Sequence, residues 1–367
     1  MKTDKHISVI IKVTNACNLK CKYCYDANYH KKTFIPLEYV EKLFALISKT
    51  YDSAKIIWHG GEPMLIGKEF YESIVRIQKG FPLVKFDNHI QTNGTLIDDE
   101  WATFFVQNGF YVGVSYDGGD ERTGRERQED SLNGRNLIVQ HGEACGVLTV
   151  IDRYNIENLL SLYQRYNKSN ISVQFNCVFP SGRTIENSEL LISTNEYVSN
   201  MCALFDYWLL DSSCKISVEP FMGYIRALCG YNTKSITQGC LYKWLCLDST
   251  GAIFPCGRMV DNTHELNHIT SISSVDDIFN STAYKELIQA AILLRDLCLQ
   301  NCDLFRYCRG GCNADAFMYG DISQNNHIAC LSHKAIMKHI ITQLATINND
   351  SQNINPYVRK YISKIKK

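Results

Sequence analysis

The chain has 367 residues, with 38 basic and 38 acidic side chains, a formal net charge of zero and 45% apolar residues. That length buries a large core and suits one large domain plus a smaller one. The balanced charge offers no footprint for nucleic acid or an acidic membrane surface, and no apolar run reaches the length of a membrane-spanning helix.

From residue 7 to about 180 the pattern alternates between strands and helices. Residues 7–13 form a continuous apolar strand. Pro36 opens a helical pattern over 37–48, where proline suits the first turn. Further strands are expected at 54–58, 86–91, 111–116, 146–151 and 171–179, and helices at 68–78, 98–108, 133–143 and 156–166. Gly109 is placed to cap the helix before it. Such alternation predicts a parallel sheet with helices outside it, whose functional residues gather at the carboxyl ends of the strands. Beyond it, 195–211 reads as a bridging helix. From about 236 the texture turns to cysteine-rich loops, with helices at 283–296 and 334–347 and a polar tail. Residues 1–6 are polar and the first strand is too short for a signal peptide, so a reducing cytoplasm is expected, where clustered cysteines mean metal.

The sixteen cysteines fall into three groups. Cys17, Cys21 and Cys24, spaced C-x3-C-x2-C, follow the first strand directly. Three thiolates on one short loop can hold three irons of a cubane iron–sulfur cluster and leave the fourth open to a ligand. Cys145, Cys177, Cys202, Cys214 and Cys229 are scattered and expected as buried apolar residues. Cys240, Cys246, Cys256, Cys298, Cys302, Cys308, Cys312 and Cys330 crowd the C-terminal third. By spacing alone those eight suit either iron–sulfur clusters or two four-thiolate zinc sites.

Three more segments end strands. Trp58-His59-Gly60-Gly61-Glu62-Pro63 offers two glycines that let backbone approach a bound group closely, then a carboxylate. His59 reads equally well as packing or as chemistry. Gln91-Thr92-Asn93-Gly94-Thr95 and Ser115-Tyr116-Asp117-Gly118 follow the next two strands, although Asn-Gly and Asp-Gly are also common turn dipeptides.

Taken together these residues resemble the radical S-adenosylmethionine (SAM) enzymes. The first cysteine run matches their CxxxCxΦC motif, with Tyr23 as the aromatic residue, and 60–63 matches their GGEP motif. The C-terminal cysteines, with Gly251-x4-Cys256, resemble the SPASM domain. The resemblance implies an α/β fold: a partial (β/α)6 barrel with a C-terminal cysteine-rich SPASM domain binding two auxiliary clusters. It implies a radical SAM core over 1–190, a bridging helical region over 191–235, the SPASM domain over 236–335, and a terminal helix and tail over 336–367.

By the same resemblance the cofactors are SAM and three [4Fe–4S] clusters. Cys17, Cys21 and Cys24 would hold the first cluster; Cys240, Cys246, Cys256 and Cys312 the second; Cys298, Cys302, Cys308 and Cys330 the third. Three residues separate Cys298 from Cys302 where the family usually has two. Glu62, with Gly60 and Gly61, would grip the SAM amino group, Ser115 the ribose and Arg127 the methionine carboxylate. Tyr23 and Asn93 would lie at the cofactor, Asp117 on the substrate side, and Val178 and Phe179 against adenine or in the core.

The implied chemistry is one-electron cleavage of SAM, followed by removal of hydrogen from an unactivated C–H bond; auxiliary clusters would take an electron back. SPASM proteins mostly modify peptides or proteins. Anaerobic sulfatase-maturating enzymes carry an Asp base directly after the third ligand of the first auxiliary cluster, and here that place is Gly257. The expectation is therefore a maturase of ribosomally made peptides that installs a C–C, ether or thioether cross-link, with its base unidentified. A sulfatase maturase making formylglycine is the alternative, and a non-catalytic iron–sulfur or zinc-binding regulator a second. Expected partners are a precursor peptide and an electron donor such as flavodoxin or ferredoxin. With the first strand starting at residue 7, leader binding is expected to use the barrel, the C-terminal region or a separate protein.

Overall fold

The computed structural model describes residues 5–26, 32–120, 122–231, 240–318, 328–347 and 354–365. Residues 1–4 of the polar start and 348–353 of the polar tail lie outside these. Six strands, β1 (His6–Thr14), β2 (Ser53–Gly60), β3 (Lys85–Thr92), β4 (Tyr111–Ser115), β5 (Gly146–Ile151) and β6 (Val173–Cys177), lie side by side in chain order. Each pairs in parallel with the next. Between them run α1 (Leu37–Ser48), α2 (Lys68–Lys79), α3 (Asp99–Gln107), α4 (Gln128–Gln140) and α5 (Leu159–Lys168). This is the alternation expected from the sequence.

Side chains alternate across a strand, and β1 shows what that does. Ile7, Val9, Ile11 and Val13 share one apolar core with Val40, Leu43, Phe44 and Ile47 of α1. The intervening Ser8, Lys12 and Thr14 are buried as well. The inner face of the sheet thus holds polar groups out of water, where each needs a partner.

The sheet extends past the six expected strands. β7 (Val218–Glu219) adds to β6, while β8 (Trp244–Leu247) pairs in parallel with β1. β9 (Ala252–Phe254) and β10 (Asn267–His268) continue antiparallel beyond β8. The cysteine-rich region is therefore joined to the barrel by backbone hydrogen bonds, and it covers an edge that β1 would otherwise expose. α6 (Thr194–Leu210), α7 (Phe221–Leu228) and the helix Ile328–Thr346 close over a second core that includes Phe205, Trp208, Phe221, Ile336 and Ile340.

α4 starts earlier than the expected residue 133. Its first turn is polar and is held by side-chain bonds: Gln128 Oε1 accepts from the backbone of Asp117 and Gly119, and its Nε2 donates to Asp120 O and Thr123 Oγ1. Such a start leaves no apolar periodicity in the sequence. Among the described residues, no helix is long and apolar enough to cross a membrane.

Candidate active site

Residues 15–26, which carry the first three cysteines, form no helix or strand. Loops that follow β2, β4 and β6 hold them in place. Gly61 N and Glu62 N donate to the carbonyls of Thr14 and Ala16, each at 2.8 Å. Lys22 N donates to Gly124 O at 2.7 Å, and Lys20 N to Glu126 Oε2 at 2.8 Å. Arg183 N donates to Cys24 O at 3.0 Å. Gly60 has φ +119°, and a Cβ on Gly60 or Gly61 would collide with the carbonyl of Thr14 or Ala16. The close approach that the two glycines permit is thus to the backbone of the cysteine loop itself.

Cys21 is buried, Cys24 half-buried and Cys17 exposed. Cys24 lies within electrostatic reach of both Cys21 and Cys17. Partial desolvation by the surrounding loop raises the Cys17 thiol, although the residue is exposed as a whole, and burial pushes the Cys24 thiol up to about 11. A bound metal reverses that preference, since a coordinating thiol is deprotonated. Three thiols on one loop that the barrel itself positions suit a three-cysteine cluster site by number and spacing, although among the described residues no three ligating side chains are gathered closely enough to hold a single metal ion.

Glu62 is fully buried. Its Oε1 accepts from Met64 N at 3.0 Å and Thr92 Oγ1 at 2.7 Å, and its Oε2 accepts from Asn93 N at 2.8 Å. Burial raises its pKa while those donors pull it down. The carboxylate thus knits the ends of β2 and β3 together, and three of its roughly four acceptor positions are taken. Asn93 points onward to the cysteine loop: its Nδ2 donates to Asn18 Oδ1 at 2.8 Å and lies 4.0 Å from Cys17 Sγ. Ser115 Oγ accepts from Gln91 Nε2 at 3.0 Å. Val178 is buried, its N–H on Ile151 O at 2.9 Å.

Asp117 is buried and occupied. It accepts from the Tyr23 hydroxyl and from Val150 N, and lies 3.4 Å from Arg125 Nε. Arg125 also lies over the Tyr23 ring, 5.7 Å from its centroid. Tyr23, the aromatic of the cysteine motif, is in this way clamped by an ion pair. Arg127 stands apart: its side chain is 48% exposed and pairs with Asp130. The buried guanidinium on this side is Arg125, which sequence reasoning passed over. The run Gly124-Arg125-Glu126-Arg127 contains both arginines, and only burial tells them apart.

A second polar group missed in the sequence lies on the inner face of β1. Lys12 Nζ pairs with Asp26 Oδ1 at 2.7 Å and sits 5.3 Å from the Tyr25 ring centroid. Burial opposes the charge on Lys12, but Tyr25 and Asp26 outweigh it and raise its pKa. His59, the register partner of Lys12 on β2, accepts from Gly60 N at 2.7 Å. Burial and the Lys12 charge lower its pKa to about 4, so it is neutral at pH 7. Tyr25 approaches Phe179 at 6.1 Å between ring centroids, and Arg258, paired with Asp315 at 2.7 Å, lies over Phe179.

The eight C-terminal cysteines are all among the described residues. Cys246 lies on β8 opposite Ile10, and Cys256 follows β9. Electrostatic contacts join Cys256 to both Cys246 and Cys312. Others join Cys308 and Cys330 to Cys298 and Cys302. Cys240 lies within electrostatic reach of Tyr284. Cys246 also reaches Lys12, and Tyr25 reaches both Cys24 and Cys256. The first C-terminal group therefore abuts the mouth of the barrel.

The sequence model described as the radical SAM superfamily matches residues 11–191. The cysteine-type anaerobic sulfatase-maturating enzyme of Clostridium novyi is 26% identical, over 94% of this chain and 97% of that protein. Among solved structures, anSMEcpe with bound AdoMet superposes with TM-score 0.83 at 24% identity, covering 93% of this chain and 98% of the other. Streptococcus suis SuiB bound to precursor peptide SuiA gives TM-score 0.60 at 17% identity, covering 87% and 74%. The cysteine loop, the barrel that holds it and the match over residues 11–191 make this region a radical SAM domain and the chain a radical SAM enzyme.

Proposed function

We propose that the chain oxidises a peptide by radical SAM chemistry and installs a cross-link in a ribosomally made precursor. Cys17, Cys21 and Cys24 would hold the first [4Fe–4S] cluster, and Glu62, Asn93 and Ser115 would line the SAM site around it. When bound, these groups supply the means to cleave SAM with one electron and take hydrogen from an unactivated C–H bond. The chain's own task is to orient cofactor and peptide and to exclude water. The two groups of C-terminal thiols would hold the auxiliary clusters, and an external donor such as flavodoxin or ferredoxin would supply the electron.

The observation that carries the cross-linking reading is Gly257. No base projects from it, and a Cβ there would come within 2.9 Å of Ile10 Cδ1. A peptide substrate is supported by two solved relatives: anSMEcpe was crystallised with a Cp18Cys peptide and SuiB with precursor SuiA. Formylglycine formation in a sulfatase is the second reading. It is favoured by the name and near-complete coverage of the Clostridium relative.

The test incubates reduced, iron-loaded enzyme with two probes. One is an 18-residue cysteine-containing sulfatase peptide, the other a short precursor peptide encoded beside the enzyme's gene. Cross-linking removes about 2 Da per bond, because one C–H and one X–H hydrogen are lost, and leaves no aldehyde. A hydrazide-reactive aldehyde in the sulfatase peptide, formed as fast as any product from the precursor, replaces the first reading with the second. Failure to cleave SAM at all defeats both.

A further inference from the structure

Asp26 has a carboxylate oxygen that nothing in the fold uses. Its side chain is 8% exposed, its Oδ1 is held by Lys12, and its Oδ2 is buried without a hydrogen-bond partner. Buried carboxylate oxygens are costly to leave unpaired. The place of this one is informative. Asp26 is in electrostatic contact with Cys24 on one side and with Cys246 on the other. It therefore lies where the end of the cysteine loop meets the first C-terminal cysteine group.

Its position relative to residue 257 is equally specific. Gly257 packs on Ile10, and Lys12 is two residues further along the same face of β1, about 7 Å away at strand rise. The carboxylate absent at 257 is thus matched by one presented from the cysteine loop, a strand repeat away. Lys12 balances its charge, so a second cation is not called for. A neutral donor is, and the donor that every peptide brings is its backbone N–H.

We propose that Asp26 Oδ2 accepts a hydrogen bond from a backbone N–H of the bound peptide, with Lys12 fixing the carboxylate through Oδ1. Asp26 is then a substrate-contacting residue. The inference rests on the peptide-modifying reading above.

The test uses the full chain, loaded with iron and sulfide, and whichever of the two probe peptides the wild type modifies. Asp26→Asn turns an N–H toward the position of Oδ2 or toward Lys12. It should raise the peptide KM about tenfold or more, the size of effect expected for a charge-assisted hydrogen bond. Iron content, the visible cluster spectrum and SAM cleavage without peptide should stay at wild-type levels. A second measurement leaves the protein intact. The probe peptide is N-methylated at one residue at a time, and methylation at one position should raise KM in the wild type by a similar factor, with little further effect in Asp26→Asn.

A peptide KM within about twofold of wild type in Asp26→Asn, or no single N-methyl position that raises KM, overturns the proposal. So does loss of cluster iron in Asp26→Asn, which would make Asp26 a support of the cysteine loop. A wild type that cleaves SAM but modifies neither peptide defeats the functional reading itself. A wild type that modifies a peptide while the variant matches it defeats only the role of Asp26.

Discussion

Glu62→Gln probes the knot that joins β2 and β3 to the cysteine loop. The amide keeps one oxygen, which can still serve Met64 N and Thr92 Oγ1, the two donors now on Oε1. Its NH2 then faces Asn93 N, which now donates to Oε2. A buried backbone donor left unpaired costs about 1–3 kcal/mol, and losing the charge weakens the two surviving bonds by roughly a further 1 kcal/mol each. Relief of carboxylate desolvation, the main cause of the raised Glu62 pKa, offsets part of this. A net loss of about 2 kcal/mol remains, equivalent to a Tm lower by about 3 °C for a chain of this size. Because Asn93 lies against Cys17, SAM affinity should fall about tenfold as well, with cluster iron retained. Anaerobic calorimetry of the loaded protein gives the Tm, and SAM titration in the same instrument gives the affinity. A Tm within about 1 °C of wild type together with unchanged SAM affinity would refute the reasoning.

Gly61→Ala places a methyl group against the Ala16 and Asn15 carbonyls and should cost about 3 kcal/mol; iron analysis should show loss of the N-terminal cluster ahead of the others. Anaerobically loaded wild type should carry about twelve irons, and joint replacement of Cys17, Cys21 and Cys24 by Ala should remove about four and abolish SAM cleavage; about four irons with stoichiometric zinc in the wild type contradicts the auxiliary-cluster assignment. His59 is lowered from 6.5 to about 4 in the fold, so between those values the unfolded chain binds more protons and stability falls on acidification. The loss from this group between pH 7 and pH 5 is about 2 kcal/mol. His59→Asn, which retains an acceptor for Gly60 N, should flatten that part of the urea-stability profile, and an equal slope in both proteins would contradict the assignment.

The barrel was legible because each of its strands is followed by a helix of matching period, and local alternation is what periodicity reads. The 37–48 helix and the 146–151 strand fell where expected. β8 was not legible. Its four residues find their place only by pairing with a strand more than two hundred positions earlier, and no local signal records that. The cysteine loop was legible from spacing, but the protein contacts of its neighbours were not. Gly60 and Gly61 meet backbone, Glu62 is tied up by protein donors, and Asp117 is engaged by Tyr23, Val150 and Arg125. A motif shows which residues occur together. Which atom faces which partner depends on loops brought in from elsewhere in the chain, as with Lys12 and Asp26, fourteen positions apart.

The parallel pairing of β8 with β1 also sets an order of assembly. β1 leads directly into Cys17, Cys21 and Cys24, yet its second neighbour in the sheet is made only when synthesis passes residue 247. Until then a nascent chain presents an unpaired edge beside its cysteine loop, the kind of edge that invites association. A ribosome-bound fragment ending before residue 240 would have every residue of the barrel and still lack one wall of the strand that enters its metal loop. The wall beside the cysteine loop is thus closed only by residues from the last third of the chain.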